Sequence, residues 1–540
     1  MMNERTTTTN SDADSHIDTT QQEDLTGRDR LVSNLFWSWG SYGLVFVIGF
    51  IMPRLIDRRL GQVELGIWDF AWSLVSYLSY SNLGIGSSVN RYVAKFRAAS
   101  DISGLRSSVS SVLMVQLVIS LFVLVGAIII SLMIPAIFSQ KLGTHLADSQ
   151  WVVMLLGLSI AVEQGLNAFR GVISGCHRWD LHNGLNLFSR LLAFAGMFIV
   201  VLMGMGLKAL ALAYLCAIVL AELTRVYIAY EVCRELKIRP SYVSCSRAKE
   251  MVFFGGKTVL ASLSRLVVIQ TIGVIVTGIM GPAIMAVLSR SITLVRHMST
   301  FVDRFSFITT PTAGALQATG NERELRDFLL DSSRFGVAIT LPMVFFFVLQ
   351  GKALLTIWMG SHYVSGNTLE LLALGYLLPV SQSPALRILV GLNKHGKIGL
   401  ICFLTALTVL GVGIGILSYA GWSLPRVALL IGISLTLSNG IIMPIYVCRV
   451  MNIPIFTYIW SSFSVPFLCN IPLIATLLLS QAFFMDSLLM TILVGLTIGG
   501  TITALLYFFF ILPDKYREKA LRVFYRRSGP AVKKTGLRRA

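Results

Sequence analysis

Charged residues are scarce in this sequence. Only 13% of its 540 residues are Asp, Glu, Lys or Arg, and 55% are hydrophobic, whereas a typical soluble domain is about 25% charged. This shortage excludes an ordinary soluble protein. Apolar runs long enough to cross a bilayer as helices follow one another from about residue 31 to residue 513. The sequence therefore predicts a polytopic membrane protein with little folded mass outside the bilayer.

Cysteine and histidine are also few, and their spacing matches no metal site or nucleophile motif. The seven cysteines include no CxxC pair, and the seven histidines include no HExxH. No GxSxG elbow occurs. MVFFGGKT at 251–258 ends like a Walker A loop, but Met251 stands where the first glycine belongs. We therefore expect no catalytic residue, no metal and no cofactor.

Short polar loops divide the chain into about fourteen spans, at roughly 34 residues per helix and loop. The predicted spans are 31–52, 65–90, 107–138, 151–173, 184–206, 208–231, 251–280, 281–310, 328–350, 368–392, 398–420, 424–448, 455–480 and 487–512. Lys and Arg concentrate in the loops after even-numbered spans, which predicts that these loops are cytoplasmic. We therefore expect a multi-pass protein of the cytoplasmic (inner) membrane with both termini cytoplasmic.

The net charge of +18 comes from 45 basic and 27 acidic residues. Because the basic residues alternate between loops and collect in the last 28 residues, the expected partner is anionic membrane lipid, not nucleic acid. The first 30 residues are polar and lack the apolar region of a signal peptide, which predicts a disordered cytoplasmic tail. Near the other end, residues 514–527 interleave basic and apolar side chains as an amphipathic surface helix does.

The second half of the chain echoes the first at an offset of about 220 residues. Gly61 aligns with Gly281, and Arg106 aligns with Arg326, which superposes span 2 on span 8. The predicted organisation is a tail (1–30), an N-terminal six-helix bundle (31–232), a cytoplasmic linker (233–250), a C-terminal six-helix bundle (251–450), two extra transmembrane helices (451–512) and a basic cytoplasmic tail (513–540).

Polar side chains recur at helical spacing on spans 2 and 8. The residues on span 2 are Asp69, Ser73, Ser76 and Tyr80, and those on span 8 include Ser289, Arg290, Thr293, Arg296, His297, Thr300, Asp303 and Arg304. The offset of 220 places the four span 2 residues on Ser289, Thr293, Arg296 and Thr300. Corresponding faces of the two halves are thus polar, and we expect them to line a cavity between the halves.

Arginines within spans 7 and 8 predict an anion site in this cavity. Arg265 lies near mid-membrane on span 7, on the same predicted face as Ser262, and Arg296 lies at a similar depth on span 8. With Arg290, these guanidiniums would present planar forks of donors that suit pyrophosphate. The alternative for Arg290 is a structural pair with Asp303 or Asp69.

Intramembrane acids are candidates for proton or sodium coupling. Asp69 lies on the span 2 stripe, and Glu163 lies within span 4, seven residues before Arg170. The alternative for both acids is a structural partnership with a nearby arginine. Glu222 precedes Arg225 by three residues, a spacing that favours a structural ion pair.

Four segments resemble known transporters. They are LGQVELGIWDFAWSLVSYLSYSNLGIGSSVNRYVA at 60–94, GVISGCHRWDLHN at 171–183, MGPAIMAVLSRSITLV at 280–295 and ILVGLNKHGKIGL at 388–400. The chain resembles polysaccharide-biosynthesis flippases of the MOP exporter superfamily, which includes Wzx-type O-antigen flippases, the peptidoglycan precursor flippase MurJ and the MATE drug exporters. The resemblance covers about residues 31–450.

The resemblance implies two pseudo-symmetric six-helix bundles, MATE/MurJ-like, around a central cavity lined by spans 1, 2, 7 and 8, and transport by alternating access. Cavity arginines of lipid-pyrophosphate flippases are matched in location and residue type by Arg265, Arg290 and Arg296. The chain departs from the pattern in span 1, which carries no charge between Leu31 and Met52.

The function expected on these grounds is a flippase for a polyprenyl-pyrophosphate-linked oligosaccharide in cell-surface polysaccharide biosynthesis. Glycosyltransferases or a polymerase of the same pathway are the candidate protein partners. Coupling to H⁺ or Na⁺ stays open. The first alternative is a MATE-like, cation-coupled exporter of small molecules, which a cavity with three or four arginines disfavours if the cargo is cationic. The second is a membrane glycan polymerase or ligase.

Overall fold

The computed structural model describes residues 31–82, 85–484, 487–514 and 517–518. Helices fill nearly all of these residues, which include no strand. Nine stretches in the described part of the chain are long and apolar enough to cross a membrane, and one of them, Ile102–Gly175, covers two successive spans. The predicted all-α polytopic fold is confirmed. The tail at 1–30 and most of the predicted surface helix at 514–527 lie outside the described residues.

Fourteen helical runs follow the predicted spans, and spans 2 and 4 are each built from two helices. The first half comprises span 1 (Leu31–Arg59), span 2 (Gln62–Ser79 and Ile85–Ala98), span 3 (Ile102–Leu142), span 4 (Leu146–Gly165 and Asn167–Gly175), span 5 (Trp179–Leu202) and span 6 (Gly206–Val232). The helices run a few residues beyond the predicted bounds, because polar residues at the membrane surface continue them.

The second half is interrupted at similar places. It comprises span 7 (Cys245–Met280), span 8 (Pro282–Ser306, then Thr309–Ala318), span 9 (Glu322–Trp358), span 10 (Thr368–Ser381 and Ser383–Gly391), span 11 (His395–Ala420) and span 12 (Leu424–Leu435, a π-helical turn at Thr436–Ile442, then Met443–Met451). Spans 13 (Ile455–Cys469 and Ile471–Phe483) and 14 (Leu488–Val494, Gly495–Gly499 and Gly500–Phe510) follow. Span 7 thus takes up the last residues of the predicted linker.

Backbone turns recur at matching places in the two halves. Gly61 and Gly281 both precede a helix with a positive φ, 119° and 95°, which favours glycine over any residue with a Cβ. Asp101 and Asn321 both cap the N-terminus of a long helix by accepting a hydrogen bond from the N–H three residues on. These repeated turns support the predicted division into two six-span bundles.

The apolar core is shared at one end of the molecule and divided at the other. The largest cluster joins buried residues of both halves, such as Phe70 in span 2 and Ile272 in span 7, toward the predicted outer end. At the predicted cytoplasmic end the halves have separate clusters, one around Val172 and one around Leu389. The two halves therefore share one apolar core at the predicted outer end and have separate apolar cores at the predicted cytoplasmic end, where the start of span 7 contacts the first half through Arg247 Nη1, which donates to the Gly104 carbonyl at 2.9 Å.

Polar contacts also join the two halves at the predicted outer end, which is the closed end of the molecule. Spans 2 and 8 approach so closely that a Cβ on Gly66 would lie 1.8 Å from the Pro282 carbonyl oxygen, which requires glycine at this position. The hydrogen bonds that join the halves here run from Arg54 Nη1 to the Ile357 carbonyl (2.6 Å), from Gln62 Nε2 to the Ala283 carbonyl (3.1 Å), from Trp358 Nε1 to the Phe50 carbonyl (2.7 Å) and from Tyr363 Oη to Asp57 Oδ1 (2.6 Å).

The two extra spans pack against span 9 of the second half. Arg334 Nε donates to the Ser461 carbonyl of span 13 at 2.9 Å, and Gln350 Nε2 donates to the Leu477 carbonyl at 3.0 Å. The Tyr458 hydroxyl contacts Ser333 Oγ at 2.8 Å. Spans 13 and 14 thus lie outside the interface between the two halves.

Candidate functional site

Arg265 is held in a defined position on the wall of the second half. Its Nη1 donates to Ser299 Oγ at 2.6 Å and to Asp303 Oδ2 at 3.3 Å. Ser383 Oγ of span 10 donates in turn to Asp303 Oδ1 at 2.5 Å. The Arg265 side chain is nevertheless 44% exposed. Since a guanidinium carries five N–H donors, Arg265 is oriented by span 8 and keeps donors for a ligand.

Arg296 is exposed and only lightly held. Its Nη2 donates a long hydrogen bond of 3.4 Å to Thr293 Oγ1, three residues earlier on the same helix. Tyr376 of span 10 is a common electrostatic neighbour of Arg296 and Arg265, and Tyr80 of span 2 is a neighbour of Arg265. The structure therefore brings the two predicted anion-binding arginines to one region, with two phenol groups beside them.

Arg290 lies elsewhere than predicted. Its side chain is only 3% exposed, and its Nη2 donates to Asp69 Oδ2 at 2.5 Å. This ion pair joins span 8 to span 2 and hence one half to the other. The alternative role of a structural pair with Asp69 fits this placement, and an exposed anion-binding role does not. Six residues turn a helix by about 600°, which leaves Arg290 about 120° away from Arg296 around span 8.

Some residues of the predicted polar stripes are buried in contacts between helices, and others are partly exposed. Ser73 and Thr293 are buried, and their hydroxyls donate to their own helices. Ser73 Oγ lies against Gly273 of span 7, where a Cβ would be 2.4 Å away, so Ser73 belongs to a helix contact and does not line an open cavity. Further along the stripes, Ser76, Tyr80 and Thr300 are half-buried. Ser262 lies outside the residues whose side chains the structure describes.

His297 packs against span 1. Its ring lies 5.0 Å from the Phe46 ring and 5.6 Å from the Phe50 ring, centroid to centroid. Span 1 carries no intramembrane charge, and it meets the site through these two aromatic rings instead. His297 is therefore part of the aromatic contact between the halves and was wrongly assigned to the cavity wall, because helical spacing alone does not show which neighbour a side chain meets.

Glu163 belongs to an ion cluster within the first half. Arg170 Nη2 lies 2.7 Å from Glu163 Oε1 and donates to Glu222 Oε1 at 2.5 Å. Arg225 lies 3.6 Å from the same Glu222 oxygen and donates to Asn186 Oδ1 at 3.1 Å. Glu222 and Arg225 are fully buried, whereas the Glu163 side chain is 36% exposed. Charges on spans 4 and 6 thus compensate one another, and Asn186 of span 5 adds a neutral acceptor.

A family profile described as polysaccharide biosynthesis protein matches residues 96–366, just over half of the 540-residue chain. The chain belongs to this family. A Shigella flexneri protein named as an O-antigen transporter is 23% identical over 366 residues, which are 66% of this chain and 85% of that protein. The predicted resemblance to polysaccharide-biosynthesis proteins is confirmed.

Two solved structures share the fold of this polysaccharide biosynthesis protein. The lipid II flippase MurJ in an inward closed conformation has a TM-score of 0.64 at 14% identity and covers 88% of this chain and 99% of that one. An inward-facing multidrug resistance MATE transporter of the MOP superfamily has a TM-score of 0.62 at 16% identity, covering 77% and 94%. At these identities the likeness extends to the fold and does not distinguish lipid-linked cargo from drugs.

Two further arginines, Arg190 and Arg304, are exposed toward the predicted cytoplasmic end of the protein. Arg190 of span 5 is exposed and has Arg304 of span 8 and Glu163 of span 4 among its electrostatic neighbours. Arg304 is exposed as well. Arg190 was not among the residues predicted from the sequence to form a site, although a charge within a predicted span indicates a candidate functional residue. These residues extend the basic surface from Arg265 and Arg296 onto the first half.

The described part of the chain brings together no group of three His, Cys, Asp or Glu side chains that could hold a metal ion. Chemistry at this site rests on guanidinium, carboxylate, hydroxyl and amide groups. Such a set can bind and orient an anionic, hydroxylated molecule.

Proposed function

We propose that this polysaccharide biosynthesis protein is a non-enzymatic flippase. It moves a polyprenyl-pyrophosphate-linked oligosaccharide from the cytoplasmic to the outer leaflet of the cytoplasmic membrane, with both termini cytoplasmic. The observation that carries the proposal is the exposed pair Arg265 and Arg296 beside Tyr376. Two exposed guanidinium forks that share Tyr376 as a neighbour match the oxygens of a pyrophosphate better than any cationic cargo. Family membership adds that the cargo belongs to polysaccharide biosynthesis.

The division of the apolar core supports transport by alternating access. The halves share one apolar core at the predicted outer end and have separate apolar cores toward the predicted cytoplasmic end, so an opening between these cores would admit substrate from the cytoplasm. Pyrophosphate would bind at the arginines while the lipid tail stays in the bilayer. Release outside requires the contacts at Gln62 and Asp69 to break and the cytoplasmic ends to close.

Ion coupling would act through acids that bind arginine. Protonation of Asp69 would remove its charge and weaken its ion pair with Arg290, which holds the two halves together. Proton binding at Asp69 would thus favour separation of the halves at the outer end. Glu163 is the second candidate, and its partner Arg170 also binds Glu222. H⁺ and Na⁺ are both compatible with a carboxylate site.

The alternative of a MATE-like cation exporter is disfavoured by charge. Arg190, Arg265, Arg296 and Arg304 are all exposed on the surface that would meet the cargo, and like charges repel strongly where little water screens them. A glycan polymerase or ligase needs an acid–base site in an outer loop. Turns at the predicted outer end such as 203–205 and 421–423 are too short to hold one.

Two kinds of partner follow from this function. Anionic lipids would contact the basic loops and tail. Glycosyltransferases or a polymerase of the same pathway would supply the cargo or consume it.

Substitution of the two arginines tests the proposal. Alanine at Arg265 or Arg296 should reduce glycan export at least tenfold, because each guanidinium contributes charged hydrogen bonds of about 1.5–3 kcal/mol. Lysine should restore export only in part, since it keeps the charge and loses the planar fork. The measurement is surface glycan in cells with equal levels of each variant.

The matched control is Arg326→Ala. Arg326 is a partly exposed arginine paired with Glu322 on the first turns of span 9, far along the helix from the cavity. Its replacement should leave export unchanged. Full export by both Arg265→Ala and Arg296→Ala would overturn the pyrophosphate site.

A further inference from the structure

A second cavity lies inside the second half, between spans 7, 8, 10 and 12. Its volume is about 230 Å³. The polar residues of its wall include Ser264, Arg265, Asp303, Tyr376, Gln382 and Asn439. Arg265 also belongs to the proposed pyrophosphate site, so the cavity adjoins that site.

Irregular helices shape this cavity. Span 10 breaks at Gln382, between Ser381 and Ser383, and span 12 contains the π-helical turn Thr436–Ile442. The turn carries Asn439, whose Nδ2 donates to Ser264 Oγ at 3.2 Å. π-Helical turns and broken helices are common where transporters bind ligands, since they release polar groups from the regular helix.

The Tyr376 hydroxyl is the feature that points to a ligand. Tyr376 is only 2% exposed and lines the cavity, yet its hydroxyl has no hydrogen-bond partner among the described residues. A buried polar group without a partner is costly. Its neighbours Arg265 and Asp303 are by contrast already engaged with each other. A bound molecule with hydroxyl groups would satisfy Tyr376 and leave that ion pair in place.

The residues of the cavity wall indicate which class of ligand the cavity can bind. A bare cation is disfavoured, because Arg265 and Arg387 both line the cavity. Neutral donors and acceptors come from hydroxyl and amide groups, while Pro379 and Leu435 add apolar surface. Hydroxyls around an apolar ring face are the chemistry of a sugar. The volume lies below the roughly 300–1,000 Å³ of sites for drug-sized ligands, which suits one ring and not an oligosaccharide.

We propose that this cavity binds the sugar ring joined to the pyrophosphate of the cargo and selects among such sugars. The proposal rests on the proposed flippase function, because Arg265 at the cavity wall would hold the phosphate to which the ring is attached. Tyr376, Gln382 and Asn439 hydrogen-bond the ring hydroxyls. The rest of the glycan remains in the open space between the two halves.

Binding to purified full-length protein tests the proposal. The probes are polyprenyl pyrophosphate without a sugar and the same lipid carrying one N-acetylglucosamine, galactose or glucose. At least one sugar-bearing lipid should bind more tightly than the bare lipid. Tyr376→Phe should reduce this preference, the ratio of the affinities for the sugar-bearing and the bare lipid, about fivefold, as expected for one lost hydrogen bond. Asn439→Ala should act in the same direction.

The matched control is Tyr446→Phe, which removes a hydroxyl that donates to the Lys394 carbonyl outside the cavity. It should change neither affinity. If no sugar increases affinity, or if Tyr376→Phe and Asn439→Ala keep the full preference, the sugar site is overturned. Binding of the bare lipid that still depends on Arg265 would leave the flippase function standing in that case. Failure of every lipid to bind would overturn both.

Discussion

At the scale of single residues, two arginines on one helix have different roles because of helical rotation. Arg296 is exposed, whereas Arg290 is 3% exposed and bound to Asp69. Because they are six residues apart at about 100° per residue, their directions differ by about 120°. The buried direction of Arg290 therefore holds the two halves together, and the exposed direction of Arg296 is free to meet cargo.

Glu222 is the residue on which the ion cluster of the first half depends. It is fully buried and binds both Arg170 and Arg225. Its removal would leave the buried Arg225 without a carboxylate, whereas Arg170 would keep Glu163. Such a loss is more costly than the loss of an exposed pair, because the Arg225 charge stays desolvated.

We therefore expect Glu222→Ala to destabilise the protein by about 3–5 kcal/mol. The measurement is the apparent melting temperature of the purified protein in detergent. Glu163→Ala is the matched control, since Glu163 binds the same Arg170 but is 36% exposed, and it should lower the melting temperature much less. Equal melting temperatures for both variants would contradict the assignment of Glu222 as the central residue.

At the scale of helices, the closed outer end is made by spans 1, 2, 8 and 9. Spans 2 and 8 touch at Gly66 and Pro282, and the Gln62 side chain reaches the Ala283 carbonyl. The same two helices carry the ion pair of Asp69 with Arg290. Any outward opening must separate spans 2 and 8, because these contacts would otherwise block the path.

A cross-link between the halves should therefore stop transport. Cysteines at Gln62 and Ala283, in a background without the native cysteines, should form a bridge with a short thiol cross-linker and abolish glycan export. A cleavable reagent followed by a reductant should restore export. The measurement is surface glycan before and after reduction, with the extent of cross-linking read on a denaturing gel.

The control pair lies within the first half. Ser131 Oγ donates to the Gln150 carbonyl at 2.9 Å, and Gln150 Nε2 donates back to the Ser131 carbonyl at 3.2 Å. Cysteines at these two positions join spans 3 and 4, which belong to the same predicted bundle, and their cross-link should leave export intact. Export that continues after full cross-linking of Gln62 to Ala283 would argue against alternating access.

At the scale of the whole molecule, charge decides orientation. The excess of 45 basic over 27 acidic residues is concentrated in loops at one end and in the last 28 residues. Retention of Lys and Arg on the cytoplasmic side would then place both termini inside, with an even number of spans. The basic tail would hold the protein to anionic lipid without contact with the transport cavity.

A reporter fused after Ala540 should be active in the cytoplasm, and one inserted at Gly204, between spans 5 and 6, should be active outside. Deletion of residues 528–540 should leave glycan export largely intact, because the basic composition of this tail predicts a role at the lipid surface and none in binding the cargo. An external signal from the C-terminal reporter would overturn the fourteen-span topology and the side assigned to every loop.

Composition and hydrophobic pattern were sufficient for the fold class, since a helix crossing lipid must satisfy its own backbone and therefore appears as an apolar run. The offset of 220 residues also indicated paired elements, and the matching turns at Gly61 and Gly281 follow it. Arg265 and Arg296 were identifiable because a charge in a span is costly and rarely lacks a role.

The assignment of each side chain to a contact, a cavity or an ion pair required the tertiary structure. Sequence spacing gives the angle of Arg290 relative to Arg296 but not which of these directions faces span 2. The cavity around Tyr376 joins residues from spans 7, 8, 10 and 12, and its shape depends on the π-helical turn at Thr436–Ile442. Such sites arise from packing between distant segments, and a local pattern along the chain contains no information about which distant segment becomes the neighbour.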